Sequence, residues 1–262
     1  MIPPIYNPDW PEDVQALYRH DMQEMWDPRI SPHIWIMYHD ELQRYLHAAG
    51  MAPKTVLDVG CAQGTLALRL AEEGHDVCAM DIRPQFLEYA RSRYECGNIE
   101  FIAANSMDHT WDRRFDLIFA NQILEHLVHP GRFVRKLASW LEPGGRLICT
   151  TPNARYVMSH LPTFTALGDP TDYESRQFTA DGNGHFFAYT RGELLTVFTG
   201  AGLGRVRVYP YDTPWITGHM KMRFLQGAFP HVALRWLDRA TLSLPGAAAW
   251  FGFQLWTEGR KT

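Results

Sequence analysis

The chain has no apolar run long enough to cross a bilayer, which argues against a membrane-spanning helix. It also lacks an excess of positive charge. Its 25 Lys and Arg are outnumbered by 29 Asp and Glu, for a net charge of −4, so no broad basic surface for nucleic acid is expected. Cysteine is scarce: Cys61, Cys78, Cys96 and Cys149 are scattered without a C-x-x-C pair. That pattern predicts buried free thiols in a reducing cytoplasm, not a disulfide framework or a thiolate metal site. The opening stretch, MIPPIYNPDWPEDV, lacks the basic and apolar regions of a secretory signal, so no targeting segment is expected and the predicted location is cytoplasmic. Two glycines are missing as well. A dinucleotide fingerprint G-x-G-x-x-G starting at Gly60 needs glycine at 62 and 65, where Ala62 and Thr65 stand. This disfavours an NAD-dependent oxidoreductase.

What is present describes a globular α/β protein. Hydrophobic residues make up 46% and charged residues 21% of 262, enough for one large core with additions. Val14, Leu17, Tyr18, Met22, Met25 and Trp26 share one helical face over 12–27, and Pro28 ends that helix. Ser31 and Pro32 start a second amphipathic helix that Gly50 stops. Strands are predicted at 54–60, 76–81, 98–103, 115–120 and 145–151, with helices at 64–73, 84–94 and 130–141 between them. Such alternation makes a parallel sheet with helices on both faces. Thr190 and Glu193 form a capping box for a further helix, and a sixth strand follows at Arg205–Tyr211. Weakly patterned stretches at 154–184 and 213–246 read as insertions, and AAAWFGFQLWTEG, near the end, reads as a final strand.

The run Val56–Thr65, VLDVGCAQGT, holds the most information. An apolar strand ends in Asp58 and a glycine turn, and a second acid, Asp81, follows 23 positions later. Chains built this way hold a nucleoside-containing cofactor across the ends of parallel strands. Four later segments fall in order: AANSM (Ala103–Met107), FDLIFANQILEHL (Phe115–Leu127), LEPGGRLICTTPN (Leu141–Asn153) and HFFAYTRGELLTVFTGAGL (His185–Leu203). Together they resemble the class I, Rossmann-like S-adenosylmethionine (SAM)-dependent methyltransferases, in the branch containing quinone and sugar O-methyltransferases. The resemblance covers about residues 50–210.

That resemblance implies a seven-stranded, mostly parallel sheet flanked by helices, with its last strand antiparallel beside the sixth. Residues 1–50 would be a helical lid, residues 51–262 the SAM-binding domain, and the two insertions would follow strands 5 and 6. It implies SAM as methyl donor and S-adenosylhomocysteine as product. Asp58 would lie near the amino-acid portion of the cofactor, with Gly60, Cys61, Ala62 and Gly64 as the loop beneath it. Asp81 would take the ribose hydroxyls, because a carboxylate can accept from both, and Ile82 would pack on the adenine. Asn105 and the Ser106 N–H would meet the adenine edge. Asn121 would lie near the methionine part. Asn105 stands where the family usually has Asp, and Ala62 where it usually has Gly.

Glu125 and His126 fall where this family places a base, and histidine suits proton removal near neutral pH. Some quinone methyltransferases bind a metal in this segment, with a further carboxylate one turn earlier. Gln122 occupies that position, and a neutral amide is a poor ligand for a hard cation, so no obligatory metal is expected. His129, Asp181 and His185 are secondary polar candidates. The expected reaction is O-methylation of a small or medium-sized acceptor such as a sugar, a glycan end, or a phenolic or quinone-like ring, with His126 as base. An amine acceptor and a non-catalytic SAM-binding subunit are the alternatives; Asn105 and Gln122 leave room for the second.

Trp10, Tyr18, Trp26, Trp35, Tyr38 and His39 read either as a lid lining or as core. Lys221, Arg223, Arg235 and Arg239, interleaved with Met220, Phe224, Leu225, Trp236 and Leu237, read first as a solvated helix face, with peripheral membrane contact as the other reading.

Overall fold

A computed structural model describes residues 1–168, 171, 173–174 and 185–262. The chain divides into two compact units, Met1–Phe119 and Ala120–Thr262.

In the first unit, α1 (Glu12–Asp21) buries Val14, Leu17 and Asp21, spaced as one helical stripe. It continues into a single π-helical turn, Met22–Trp26. α2 (Pro32–Ala49) starts on proline, which suits a position with no N–H to satisfy, and ends at Gly50 with φ +75°. Then come β1 (Thr55–Val59), α3 (Thr65–Glu72), β2 (Asp76–Asp81), α4 (Pro84–Ser92) and β3 (Asn98–Ala103). β1 pairs parallel with β2 (Val56 opposite Val77), and β2 with β3 (Val77 opposite Ile99), as helical crossovers require. Val56, Leu57, Val77, Cys78 and Ala79 are fully buried, so both faces of these strands are covered. Val14 and Leu17 of α1 pack with Phe86 and Tyr89 of α4, and Trp10, Tyr18 and Ala62 close around them.

The chain then runs through β4 (Phe115–Asn121), α5 (Pro130–Trp140), β5 (Leu141–Pro152), α6 (Arg191–Gly200) and β6 (Leu203–Tyr211). Four helical segments follow: α7 (Pro214–Thr217), α8 (Arg223–Ala228), α9 (His231–Leu242) and α10 (Pro245–Phe251), before β7 (Gln254–Lys261). The seven strands form one sheet in the order β3-β2-β1-β4-β5-β7-β6. β7 is antiparallel to β5 and to β6 and lies between them, with Thr257 opposite Cys149 and Val208. The expected sheet, with its antiparallel last strand beside the sixth, is therefore present. The Thr190–Glu193 capping box also forms: Glu193 N–H donates to Thr190 Oγ1 at 3.3 Å, and Thr190 N–H donates to Glu193 Oε2 at 2.7 Å.

Two expectations change. AAAWF, the first part of the expected final strand, is helix α10, because Pro245 sits in its first turn and alanines extend it; the strand begins only at Gln254, beyond Gly252. β5 begins at Leu141, ahead of the expected 145. Of the insertion expected at 154–184, the described part includes a short 3-10 turn, Phe164–Ala166, capped by Thr163; Asp181 lies outside the described residues.

Candidate active site

The acidic and glycine residues of the first motif converge at the ends of β1 and β2. Gly60, Ala62 and Gly64 have φ of +69°, +46° and +76°, so the loop winds through left-handed backbone three times in five residues. Gly60 and Cys61 N–H both donate to Met80 O, at 2.7 and 3.0 Å, which ties the loop to β2. A Cβ on Gly64 would stand 2.6 Å from Ala90 Cβ, so this glycine is required by the approach of α4.

Asp81 and Asp58 are each 4% exposed. Asp81 Oδ2 accepts the Ala62 N–H and Oδ1 accepts the Arg83 N–H, both at 3.0 Å, with Arg83 Nε 3.6 Å from Oδ1. Each oxygen keeps capacity for a further donor. Asp58 accepts the Ala67 N–H in the first turn of α3; burial, reinforced by the Asp81 charge, pushes its carboxyl up to about 7. Burial likewise drives the Cys61 thiol far above its ordinary value, so it is an inert lining group. Beside this pair Ile82 leaves 41% of its surface open. Asn105 Oδ1 accepts the Met107 N–H at 2.9 Å, and Ser106 is buried next to it.

These features fit a cofactor of SAM's chemistry. Two buried carboxylates within each other's field favour a ligand carrying positive charge and hydroxyl donors, and the exposed Ile82 offers an apolar face to a ring.

Sequence reasoning missed the buried network beneath the loop. Arg93, fully buried, lies with Nη2 3.0 Å from Asp21 Oδ1; it donates to Thr65 Oγ1 at 3.0 Å and, through Nη1, to Gln63 O at 2.6 Å. Asp21 Oδ2 also accepts from Tyr89 OH at 2.7 Å and Trp26 Nε1 at 3.1 Å. Gln63 Nε2 donates to Glu24 Oε2 at 2.8 Å and to Tyr38 OH at 3.1 Å. Burial, with the Asp21 and Glu41 charges, lifts Glu24 to about 8. Tyr38 and Trp26 thus join this network through their polar ends, Tyr38 at Gln63 and Trp26 at Asp21. The available signal was Asp21 on the apolar stripe of α1.

The second unit holds the acid–base candidates. A 3-10 turn, Leu124–His126, follows β4. Phe186 N–H donates to Glu125 O at 3.0 Å, and Tyr189 OH donates to Leu124 O at 3.1 Å. These two bonds bring His185 beside the turn. The His126 and His185 rings meet edge to face with centroids 5.0 Å apart, and His185 Nε2 lies 3.8 Å from Glu125 Oε1. Glu125 is fully buried, and neither of its carboxylate oxygens has a hydrogen-bond partner among the described residues. Burial lifts it to about 8 and lowers His185.

One ligand atom from each of Glu125, His126 and His185 lies within 4.8 Å of the others, close enough for one ion. His185, and not residue 122, completes this cluster. Gln122 is used elsewhere: its Nε2 donates to Thr150 Oγ1 at 3.2 Å and to Gln254 Oε1 at 3.0 Å. Asn121 Oδ1 lies 3.4 Å from the Thr150 hydroxyl, and His129 pairs with Glu174 at 2.6 Å.

A methyltransferase-domain family model matches residues 51–207, more than half of the chain, and the chain belongs to that family. The resemblance seen in the motifs is thereby borne out. Ubiquinone biosynthesis O-methyltransferases are among the curated relatives: that of Coxiella burnetii (strain RSA 493) is 31% identical over 112 residues, 39% of this chain and 45% of that protein. That of Serratia proteamaculans (strain 568) is 36% identical over 110 residues, 40% of this chain and 46% of that one. The chain thus spans about half the length of the curated relatives it matches. Among solved structures, N-methyltransferase NodS from Bradyrhizobium japonicum WM9, in complex with S-adenosyl-L-homocysteine, aligns with TM-score 0.55 at 17% identity, covering 96% of this chain and 99% of that one. At that identity the likeness speaks for the fold. No helix among the described residues is long and apolar enough to cross a membrane.

Proposed function

We propose that this methyltransferase-family protein uses SAM to O-methylate a small or medium-sized acceptor, with His126 as the base. The observation that carries the cofactor assignment is the pair of buried carboxylates, Asp58 and Asp81, bracketing a left-handed glycine loop. Asp81 would hold the ribose hydroxyls, Ile82 the adenine face, Asn105 and Ser106 the adenine edge, and Asp58 with the Gly60–Gly64 backbone the amino-acid end. Asn121 is assigned to the methionine portion on its place in the motif order alone. SAM supplies a methyl group on a cationic sulfonium whose departure leaves a neutral thioether. The protein's remaining tasks are orientation and removal of the acceptor proton.

His126 suits that task by its place on the turn after β4, since imidazole is the side chain best suited to take a proton near neutral pH. Glu125 has the properties of a positioning carboxyl: it is buried, lies within 4.8 Å of His126 and stands 3.8 Å from His185. The named activity of the ubiquinone relatives supports a phenolic or quinone-type hydroxyl; a sugar or glycan hydroxyl would need the same base. Replacing His126 by alanine is expected to lower kcat about 10²–10⁴-fold on the true acceptor with little change in SAM affinity. Nearly full retained activity would instead favour an amine acceptor. Tight binding of S-adenosylhomocysteine with no turnover on a broad acceptor panel would favour a non-catalytic subunit.

A second reading rests on the Glu125, His126 and His185 cluster: a divalent ion there would polarise the acceptor hydroxyl. Activity that survives exhaustive chelation favours the base; activity lost and then restored by an added divalent metal favours the ion.

A further inference from the structure

The segment between β6 and β7 carries charge of one sign on its surface. Residues 212–253 contain Lys221, Arg223, Arg235 and Arg239, and two acids, Asp212 and Asp238, both buried. Asp238 is buried and occupied: its Oδ1 accepts the Thr213 N–H and hydroxyl, each at 2.8 Å. It holds the start of α7 to α9.

The same segment exposes large apolar side chains. Phe224, Phe229, Val232, Trp236, Leu244 and Trp250 all stand more than half or close to half in solvent. Scattered exposed apolar residues are ordinary, but these lie on consecutive helices that pack on one another, α8 on α7, α7 on α9 and α9 on α10. α9 shows the pattern most clearly. Leu234 and Asp238, four residues apart, face inward. Val232, Trp236 and Arg239 make a stripe on the outward side, with Val232 79% and Trp236 67% exposed. A solvated helix face would carry polar residues at 232 and 236. An internal face would not carry Arg239.

We propose that this helical insertion is a docking surface for an anionic lipid bilayer. Val232 and Trp236 enter the boundary between headgroups and acyl chains, and Lys221, Arg223 and Arg239 meet the lipid phosphates. Charge complementarity selects this occupant. Tryptophan and cations side by side are the composition of interfacial helices. A second copy of the chain would set the same cations against each other across a two-fold axis.

The test is co-sedimentation of the full chain with vesicles of phosphatidylcholine alone and of phosphatidylcholine mixed with phosphatidylglycerol. Binding is expected only to the mixed vesicles, and it should weaken as salt rises. Lys221→Glu with Arg223→Glu should reduce partitioning by about 25-fold or more, since each cation near such a surface contributes about five-fold. Val232→Ser with Trp236→Ser should reduce it by roughly ten-fold or more through lost apolar insertion. All four positions are outside the core, and circular dichroism of the variants should match the parent. Bromolipid quenching of tryptophan fluorescence should be present in the parent and diminished in Trp236→Phe. Equal binding to both vesicle types, no binding to either, or undiminished binding by both double variants overturns the proposal. So does a dimer in light scattering that the variants dissolve, which would make the occupant a second copy.

Discussion

Asp21 and Glu125 are both fully buried carboxyls, one in each compact unit, and they are treated in opposite ways. Asp21 has an arginine, a tyrosine hydroxyl and an indole N–H around it. Glu125 has no hydrogen-bond partner on either oxygen among the described residues, only an imidazole at 3.8 Å. A buried carboxyl held by an ion pair and by hydrogen bonds to one of its oxygens fixes a scaffold; one that accepts no hydrogen bond on either oxygen costs stability when ionised and is kept where chemistry needs it. The first pattern locks the turn Met22–Trp26 to the glycine loop after β1 through Gln63 and Thr65. The second stores an acceptor beside two histidines.

Breaking the partnered site should have the largest effect. Arg93→Met leaves Asp21 buried without its cation and is expected to destabilise the protein by roughly 3–5 kcal/mol in urea unfolding. Adding Asp21→Asn should recover part of that loss. A loss of well under 1 kcal/mol would mean that the network does not hold the loop.

Asp81→Asn keeps the side chain's shape but removes its charge. S-adenosylhomocysteine affinity by calorimetric titration should fall about 10–100-fold, the value of a charged hydrogen bond. Unchanged affinity would remove Asp81 from the ribose.

The smallest effect sharpens the contrast from the other side. Glu125→Gln should raise stability by roughly 1–2 kcal/mol at high pH while lowering activity. The sign follows from its carboxyl, raised from 4.5 to about 8. Between those values the unfolded chain loses a proton that the folded chain keeps, so Glu125 lowers stability as pH rises through that window. The gain from glutamine should therefore be complete above pH 8 and vanish below pH 4.5. Thermal unfolding at the two extremes measures it; equal stabilisation at both would mean that the Glu125 carboxyl titrates alike in the folded and unfolded chains.

Much of the first site was legible because its residues are near one another in sequence. The run Val56–Thr65 contains a strand, its turn and the following helix start, and Asp81 is one crossover away. Gly64 was legible as part of the loop, while the close approach of Ala90 that leaves no room for a Cβ there was not. The Arg93 network was not legible, since its members come from α1, the turn after it, α2, α3 and the end of α4. His185 was named only as a secondary candidate because nothing local joins it to Glu125, 60 positions earlier. The insertion after β6 showed its cations and aromatics, but not that Asp238 turns inward while Val232 and Trp236 turn out.

The sequence by itself determined the order of the elements, the loop with its two acids, the capping box and the family, because each depends on periodicity or on spacing within a few turns of chain. Only the tertiary structure decided which buried charges have partners, which imidazoles stand beside Glu125, and which side of α9 faces solvent. Those outcomes depend on distances between residues far apart along the chain, and such distances exist only once the chain has packed.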